Sequence, residues 1–157
     1  MNANPLIIFD YIGHYGPPIL FALTCYSLFH RHVYLLVFVI GSMVNYMINI
    51  FLKDTIREPR PENPLEFIDS HNLIGNNYYG LPSGHAQITL FSLTFFYLTN
   101  GYERIYTLFV MTCITIITLY QRWKYRRHTI KQLYVGSIIG ATIAWTLVLI
   151  TKQYLHD

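Results

Sequence analysis

VYLLVFVIGSMVNYMINIFL, running from Val33 to Leu52, decides the fold. It carries no charged side chain, and crossing a bilayer as a helix takes about 20 mostly apolar residues. A second stretch of this kind runs from Leu133 to Ile150. Ile105–Tyr120 is slightly shorter and is bounded by Glu103, Arg104 and Arg122. Gln87–Thr99 reaches spanning length only if its helix starts at Ser83. Pro17–Phe29 is the weakest and would recruit part of 11–16. Leu6–Phe9 reads as a short interfacial piece. The chain is 53% hydrophobic and 12% charged, against about 25% charged in an ordinary soluble domain. A soluble bundle would need polar faces at a 3.6-residue period, and these segments are apolar nearly all round. The expectation is an all-α, polytopic membrane bundle of about five transmembrane helices, one membrane-embedded domain over residues 1–157.

Cys25 and Cys113 lie inside apolar runs at no metal-ligand spacing and read as packing thiols. The net charge of +3 is small, and the basic residues gather at a few places rather than forming a nucleic-acid footprint. The N-terminus has no basic n-region followed by a small-residue cleavage site, so no cleaved signal peptide is expected.

Three polar motifs sit at the mouths of the apolar segments. With one crossing per segment, all three fall on the same side of the membrane. The first is KDTIREPRP, Lys53–Pro61. Asn45, Asn49 and Lys53 follow at four-residue steps and share one helix face, the two amides suiting interhelical hydrogen bonds in lipid. Pro59 and Pro61 restrict the backbone around Arg60, and an Arg held that way suits bidentate phosphate recognition. Arg57 and Glu58 read as a pair. The second motif is LPSGH, Leu81–His85. Ser83 is a good N-cap, Gly84 allows close approach, and a helix N-terminus attracts an anion. His85, in the first turn, is placed to protonate a leaving oxygen. The third motif is Arg122, His128 and Gln132. His128 and Gln132 lie one turn apart on one face, so the Gln132 carbonyl oxygen can accept the Nδ1 proton and leave the other nitrogen of His128 as a nucleophile. Lys124, Arg126, Arg127 and Lys131 read as a basic cluster for lipid head groups. Residues 54–82, the longest non-apolar stretch, read as an ordered cap over that face.

These motifs, spanning Lys53 to Gln132, resemble those of the type 2 phosphatidic acid phosphatase and vanadium haloperoxidase superfamily. The resemblance implies that Lys53, Arg60 and Arg122 bind phosphate with Ser83 and Gly84, that His85 is the acid/base and that His128 is the nucleophile. The common third motif begins Ser-Arg and ends in Asp; here those places hold Gln121-Arg122 and Gln132. Gln132, Glu58-Pro59-Arg60-Pro61, Tyr79-Gly80, Gln87 and His128-Thr129 resemble the dolichyl diphosphatases within the superfamily. Members commonly have six crossings, against the five found here.

Together these readings point to a membrane phosphatase that cleaves a polyprenyl diphosphate to the monophosphate through a phosphohistidine. His128, His85 and Gln132 would be its catalytic residues, with no metal and no cofactor. Phosphatidate or another phospholipid is the rival substrate. An inactive lipid-phosphate-binding membrane protein is the rival of another class, and a haloperoxidase suits so apolar and small a chain poorly. The expected partners are a lipid phosphate and membrane lipids, with no nucleic acid and a homo-oligomer left open. Lys and Arg are more numerous on the motif side, which the positive-inside rule would place in the cytoplasm. The resemblance implies an endomembrane, endoplasmic-reticulum-like location with a lumenal or extracytoplasmic site.

Overall fold

Six α-helices follow one another in the structure, a computed structural model that describes residues 5–65 and 78–154. They are α1 (Pro5–His14), α2 (Gly16–Ser27), α3 (His32–Ile56), α4 (Gly84–Asn100), α5 (Ile105–Lys124) and α6 (Ile130–Tyr154). A 3₁₀ turn, Gly101–Arg104, joins α4 to α5. No strand occurs among the described residues; one isolated bridge pairs Pro59 with Tyr79. The part of the expected cap from 66 to 77 lies outside the described residues.

α3, α5 and α6 are long and apolar enough to cross a membrane. Their outward faces expose Leu36, Met43, Met47, Phe109, Ile116 and Trp145, a surface suited to lipid rather than water. The other two expected crossings are shorter helices. α4 has 17 residues and packs against α2, α3, α5 and α6. α2 has 12 and opens on Gly16, Pro17 and Pro18. Those prolines interrupt a nearly continuous path, since Pro offers no amide to the preceding turn. α1 precedes the break and packs along α5.

Polar contacts fix the direction of each helix. At one end Arg31 Nη1 donates to the Thr99 carbonyl at 2.6 Å, and Asn100 Nδ2 donates to Ser27 Oγ at 3.4 Å. The ends of α2 and α4 and the start of α3 therefore meet there. The opposite end gathers the last turn of α3, the first turns of α4 and α6, the last turn of α5 and all of α1. Between the ends lies an aromatic and aliphatic core of Leu28, Tyr34, Phe38, Phe91, Phe95, Ala144 and Val148, with Leu20, Phe96 and Met111 alongside.

The tightest packing is α4 on α6. A Cβ on Gly136 would run into the Ser83 carbonyl oxygen, and one on Gly140 into the Gln87 carbonyl oxygen. Ala144 continues the same face and is fully buried. Three small residues one turn apart thus let two backbones touch, as expected where helices associate in lipid by close packing.

Candidate active site

α3 delivers Lys53 as its last inward residue. Asn45, Asn49 and Lys53 are all buried on one face. The two asparagines brace α4: Asn49 Nδ2 donates to Gln87 Oε1 at 2.7 Å and to the Pro82 carbonyl at 3.2 Å, and Gln87 Nε2 donates to Asn45 Oδ1 at 2.8 Å. Buried polar side chains joined this way cost little and fix the register of α3 on α4. Lys53, 7% exposed, rises from the top of this ladder.

α3 ends as Arg57 adopts φ 54°. Arg57 Nε donates to the Asp54 carbonyl at 2.9 Å. The expected Arg57–Glu58 pair is not the one formed. Glu58 pairs instead with Lys131 at 2.6 Å and accepts from Gln132 Nε2 at 3.1 Å. The hydrogen bond from Lys131 is the main influence holding the Glu58 carboxyl below its usual range. The chain then runs extended through Pro59, whose carbonyl accepts from Gln132 Nε2 at 2.8 Å. Arg60 comes next, its Nη1 donating to the Arg127 carbonyl at 3.4 Å.

The second motif caps α4. Ser83 Oγ accepts from the Ala86 amide at 3.4 Å, and the Ser83 amide is taken by the Gln132 carbonyl at 3.1 Å. Oγ keeps its own proton to donate, and Gly84 and His85 supply the first amides of the helix.

The third motif is a turn around the Arg122 carbonyl, which accepts from the amides of Arg127 at 2.9 Å and His128 at 3.3 Å. Arg126 sits at φ 51° within it. Thr129 then opens α6 by a reciprocal cap: the Gln132 amide donates to Thr129 Oγ1 at 3.2 Å, and the Thr129 amide donates to Gln132 Oε1 at 3.2 Å. This is the Thr-x-x-Gln form of the capping box. It leaves His128 immediately before the helix, 2% exposed.

His128 Nδ1 lies 3.0 Å from the Gly80 carbonyl and 3.3 Å from Gln132 Oε1. Both are acceptors, so the ring proton belongs on Nδ1 and Nε2 keeps a lone pair. The Gly80 carbonyl, the nearer partner, was not foreseen from sequence, because a backbone acceptor leaves no side-chain signal. A Cβ on Gly80 would collide with the Gln132 side chain, which gives that glycine its place. Burial first, then Arg60, Arg122, Lys53 and His85, keep the His128 imidazole well below its ordinary range and hence neutral. Those four side chains thus lie within Coulombic reach of His128.

The expected head-group cluster divides. Lys124 pairs with Asp10 at 2.8 Å, Lys131 reaches Glu58 from an exposed position, Arg127 is buried at 3% exposure, and Arg126 is exposed. Gln121, in the place of the motif Ser, is buried and packs against Gly13 of α1. No group of three or more His, Cys, Asp or Glu is placed to hold a metal among the described residues. The arrangement offers a neutral nucleophilic nitrogen, three fixed cations, a capped helix N-terminus and a second imidazole.

The family model described as the PAP2 superfamily matches residues 32–155. Dolichyldiphosphatase 1 of Mus musculus is 27% identical over 143 residues, 82% of this chain and 57% of that protein. Lipid phosphate phosphatase gamma of Arabidopsis thaliana is 28% identical over 161 residues, 88% of this chain and 68% of that protein. The chain thus spans less than two thirds of the mouse protein's length. A transmembrane PAP2-type phosphatidylglycerolphosphate phosphatase of Bacillus subtilis has the same fold, with a TM-score of 0.74 at 14% identity over 98% of this chain and 80% of that one.

Proposed function

The chain belongs to the PAP2 superfamily, and from that premise we propose that it is an integral-membrane phosphatase removing the terminal phosphate of a polyprenyl diphosphate. One observation carries the reading: a buried imidazole whose Nδ1 faces two acceptors and whose Nε2 is left as a lone pair among Lys53, Arg60 and Arg122. Nε2 of His128 attacks the terminal phosphorus. The P–O bond to the leaving phosphate breaks, its electron pair goes to that oxygen, and His85 supplies the proton. Water then displaces the phosphoryl group from His128 and returns a proton to His85. Lys53, Arg60, Arg122, Ser83 Oγ and the amide of Gly84 neutralise charge on the equatorial oxygens throughout. The fixed cations supply the charge a metal would otherwise bring.

The preference for a polyprenyl diphosphate draws on the relative named dolichyldiphosphatase and on one contact. Glu58 of the first motif bonds Gln132 of the third, so these two residues act as a matched pair. A phospholipid phosphatase is the second reading, favoured by the Arabidopsis relative at similar identity. An endomembrane location with the site facing the lumen, or extracytoplasmic space, belongs to the same proposal.

A substrate panel in detergent tests it: polyprenyl diphosphate, polyprenyl phosphate, phosphatidate and a soluble aryl phosphate, with and without EDTA. Polyprenyl diphosphate should be turned over fastest, EDTA should leave the rate unchanged, and His128→Ala should abolish it. Faster turnover of phosphatidate moves the assignment to the second reading, and equal rates for His128→Ala and the parent refute the enzyme.

A further inference from the structure

The N-terminal helix, outside the residues matched to the family, reaches the site through its backbone. Pro17 and Pro18 stand in the first turn of α2 and carry no amide hydrogen. Along a continuous helix those amides would donate to the carbonyls of Gly13 and His14. The His14 carbonyl instead lies 3.3 Å from Nε2 of His85, and the two imidazole rings are 6.1 Å apart between centroids.

α1 is itself held against the motif end of α5. Asp10, 6% exposed, accepts from Lys124 Nζ at 2.9 and 2.8 Å and from the Tyr125 hydroxyl at 2.8 Å. Gly13 and Gly16 leave no room for a Cβ against Gln121 and Thr118. The strut therefore has two fixed points, an ion pair beyond Arg122 and a glycine seam below it, and the His14 carbonyl emerges within the seam, between Gly13 and Gly16.

We propose that the proline break between α1 and α2 is a positioning device for His85, the His14 carbonyl holding the ring as its Nε2–H tautomer. The inference rests on the acid/base role given to His85 above. A carbonyl only accepts, so the contact requires a proton on Nε2. Nδ1 is then the nitrogen that exchanges protons. In the first half-reaction the imidazolium gives its Nδ1 proton to the leaving oxygen as the P–O bond breaks. The neutral ring keeps Nε2–H on the His14 carbonyl. In the second half-reaction the attacking water gives its proton to Nδ1 as its oxygen bonds phosphorus and the P–N bond to His128 breaks, the electron pair returning to Nε2 of His128.

Pro18→Ala restores an amide that competes for the His14 carbonyl, and Asp10→Asn loosens the strut. Both are compared with the parent and His85→Ala on phosphatidate, whose leaving alkoxide needs a proton, and on a nitrophenyl phosphate, whose leaving group does not. Pro18→Ala should lower kcat on phosphatidate by roughly 10-fold with KM little changed and largely spare the nitrophenyl ester. Asp10→Asn should show the same selectivity more weakly, and His85→Ala more strongly. If His85→Ala shows the selectivity and Pro18→Ala matches the parent on both substrates, the positioning role falls and the role of His85 stands. If His85→Ala affects both substrates equally, its acid/base role falls and takes the inference with it. Histidine ¹⁵N NMR of the parent in detergent decides independently of turnover: Nε2–H for His85 supports the inference, and Nδ1–H overturns it.

Discussion

Gln132 does more than orient an imidazole. Its Oε1 caps the Thr129 amide and lies beside His128 Nδ1, while its Nε2 donates to Glu58 and to the Pro59 carbonyl. One side chain thus ties the first motif to the third. Gln132→Leu removes the Oε1 half of the capping box and takes the Nε2 donor from Glu58 and the Pro59 carbonyl, at a cost of about 1–2 kcal/mol. Turnover should fall on the order of 100-fold as His128, the proposed nucleophile, loses its seat. Gln132→Glu keeps the shape but sets a carboxylate against the ionised Glu58. Its activity should be low at neutral pH and rise as pH falls and the new carboxyl protonates; a flat ratio to the parent across pH would show that the Glu58 contact is unimportant. The one-turn spacing to His128 is legible in the sequence, whereas the bond to Glu58, 74 residues away, is not. His128 itself makes a second prediction. Burial and neighbouring cations disfavour its protonated form, so the neutral, nucleophilic ring persists as pH falls through the ordinary imidazole value and is lost only below it. In substrate-free protein, histidine NMR should find the His128 ring neutral, its one proton on Nδ1, from about pH 8 to 6.5. Titration within that range would mean the cations lie farther off than the geometry gives.

Among the elements, α4 and α6 decide whether the site assembles, because Ser83 and Gln132 meet across their first turns. Gly140 is the test. Its missing Cβ is what lets α6 lie on the Gln87 carbonyl, and Gln87 in turn holds Asn45 and Asn49 below Lys53. Gly140→Leu should separate the helices, and overpacking of this kind costs about 1–3 kcal/mol. Melting temperature in detergent and turnover should fall together; parent-like values for both would place that face against lipid. This seam was readable as Gly136, Gly140 and Ala144 at four-residue spacing, and the spans of α3, α5 and α6 were readable as apolar runs. The role of α1 was not. The partners of Asp10 lie more than a hundred residues away, and the carbonyl of His14 has no letter in the sequence. Pro17-Pro18 was the available signal: two adjacent residues without amides, early in an otherwise apolar helix, imply carbonyls that must bond elsewhere.

Across the whole molecule, alternating helix directions put all three motifs at one end, and the structure changes what the charges say about sidedness. Eight Lys and Arg on the motif side favoured the cytoplasm. Lys53, Arg60 and Arg122 gather at the candidate site, Lys124 and Lys131 are paired with Asp10 and Glu58, and Arg127 is buried. Arg57 and Arg126 remain. At the opposite end Arg31 is engaged by the Thr99 carbonyl and lies 4.3 Å above the Tyr34 ring, leaving Arg104 and Lys152. Folding and the proposed chemistry thus account for the charge excess, and on that reading the positive-inside rule favours neither side. Labelling in sealed vesicles measures the sidedness directly. On a background with Cys25 and Cys113 replaced by Ala, the exposed positions Glu62, Arg126, His30 and Glu103 are changed singly to Cys. Glu62→Cys and Arg126→Cys should share one response to an impermeant maleimide, His30→Cys and Glu103→Cys the opposite one. In endomembrane vesicles that expose their cytoplasmic face, the first pair should react only after permeabilisation if the site is lumenal. A common response at Arg126 and Glu103 would leave no way for α5 to cross, and the bundle would have to be redrawn.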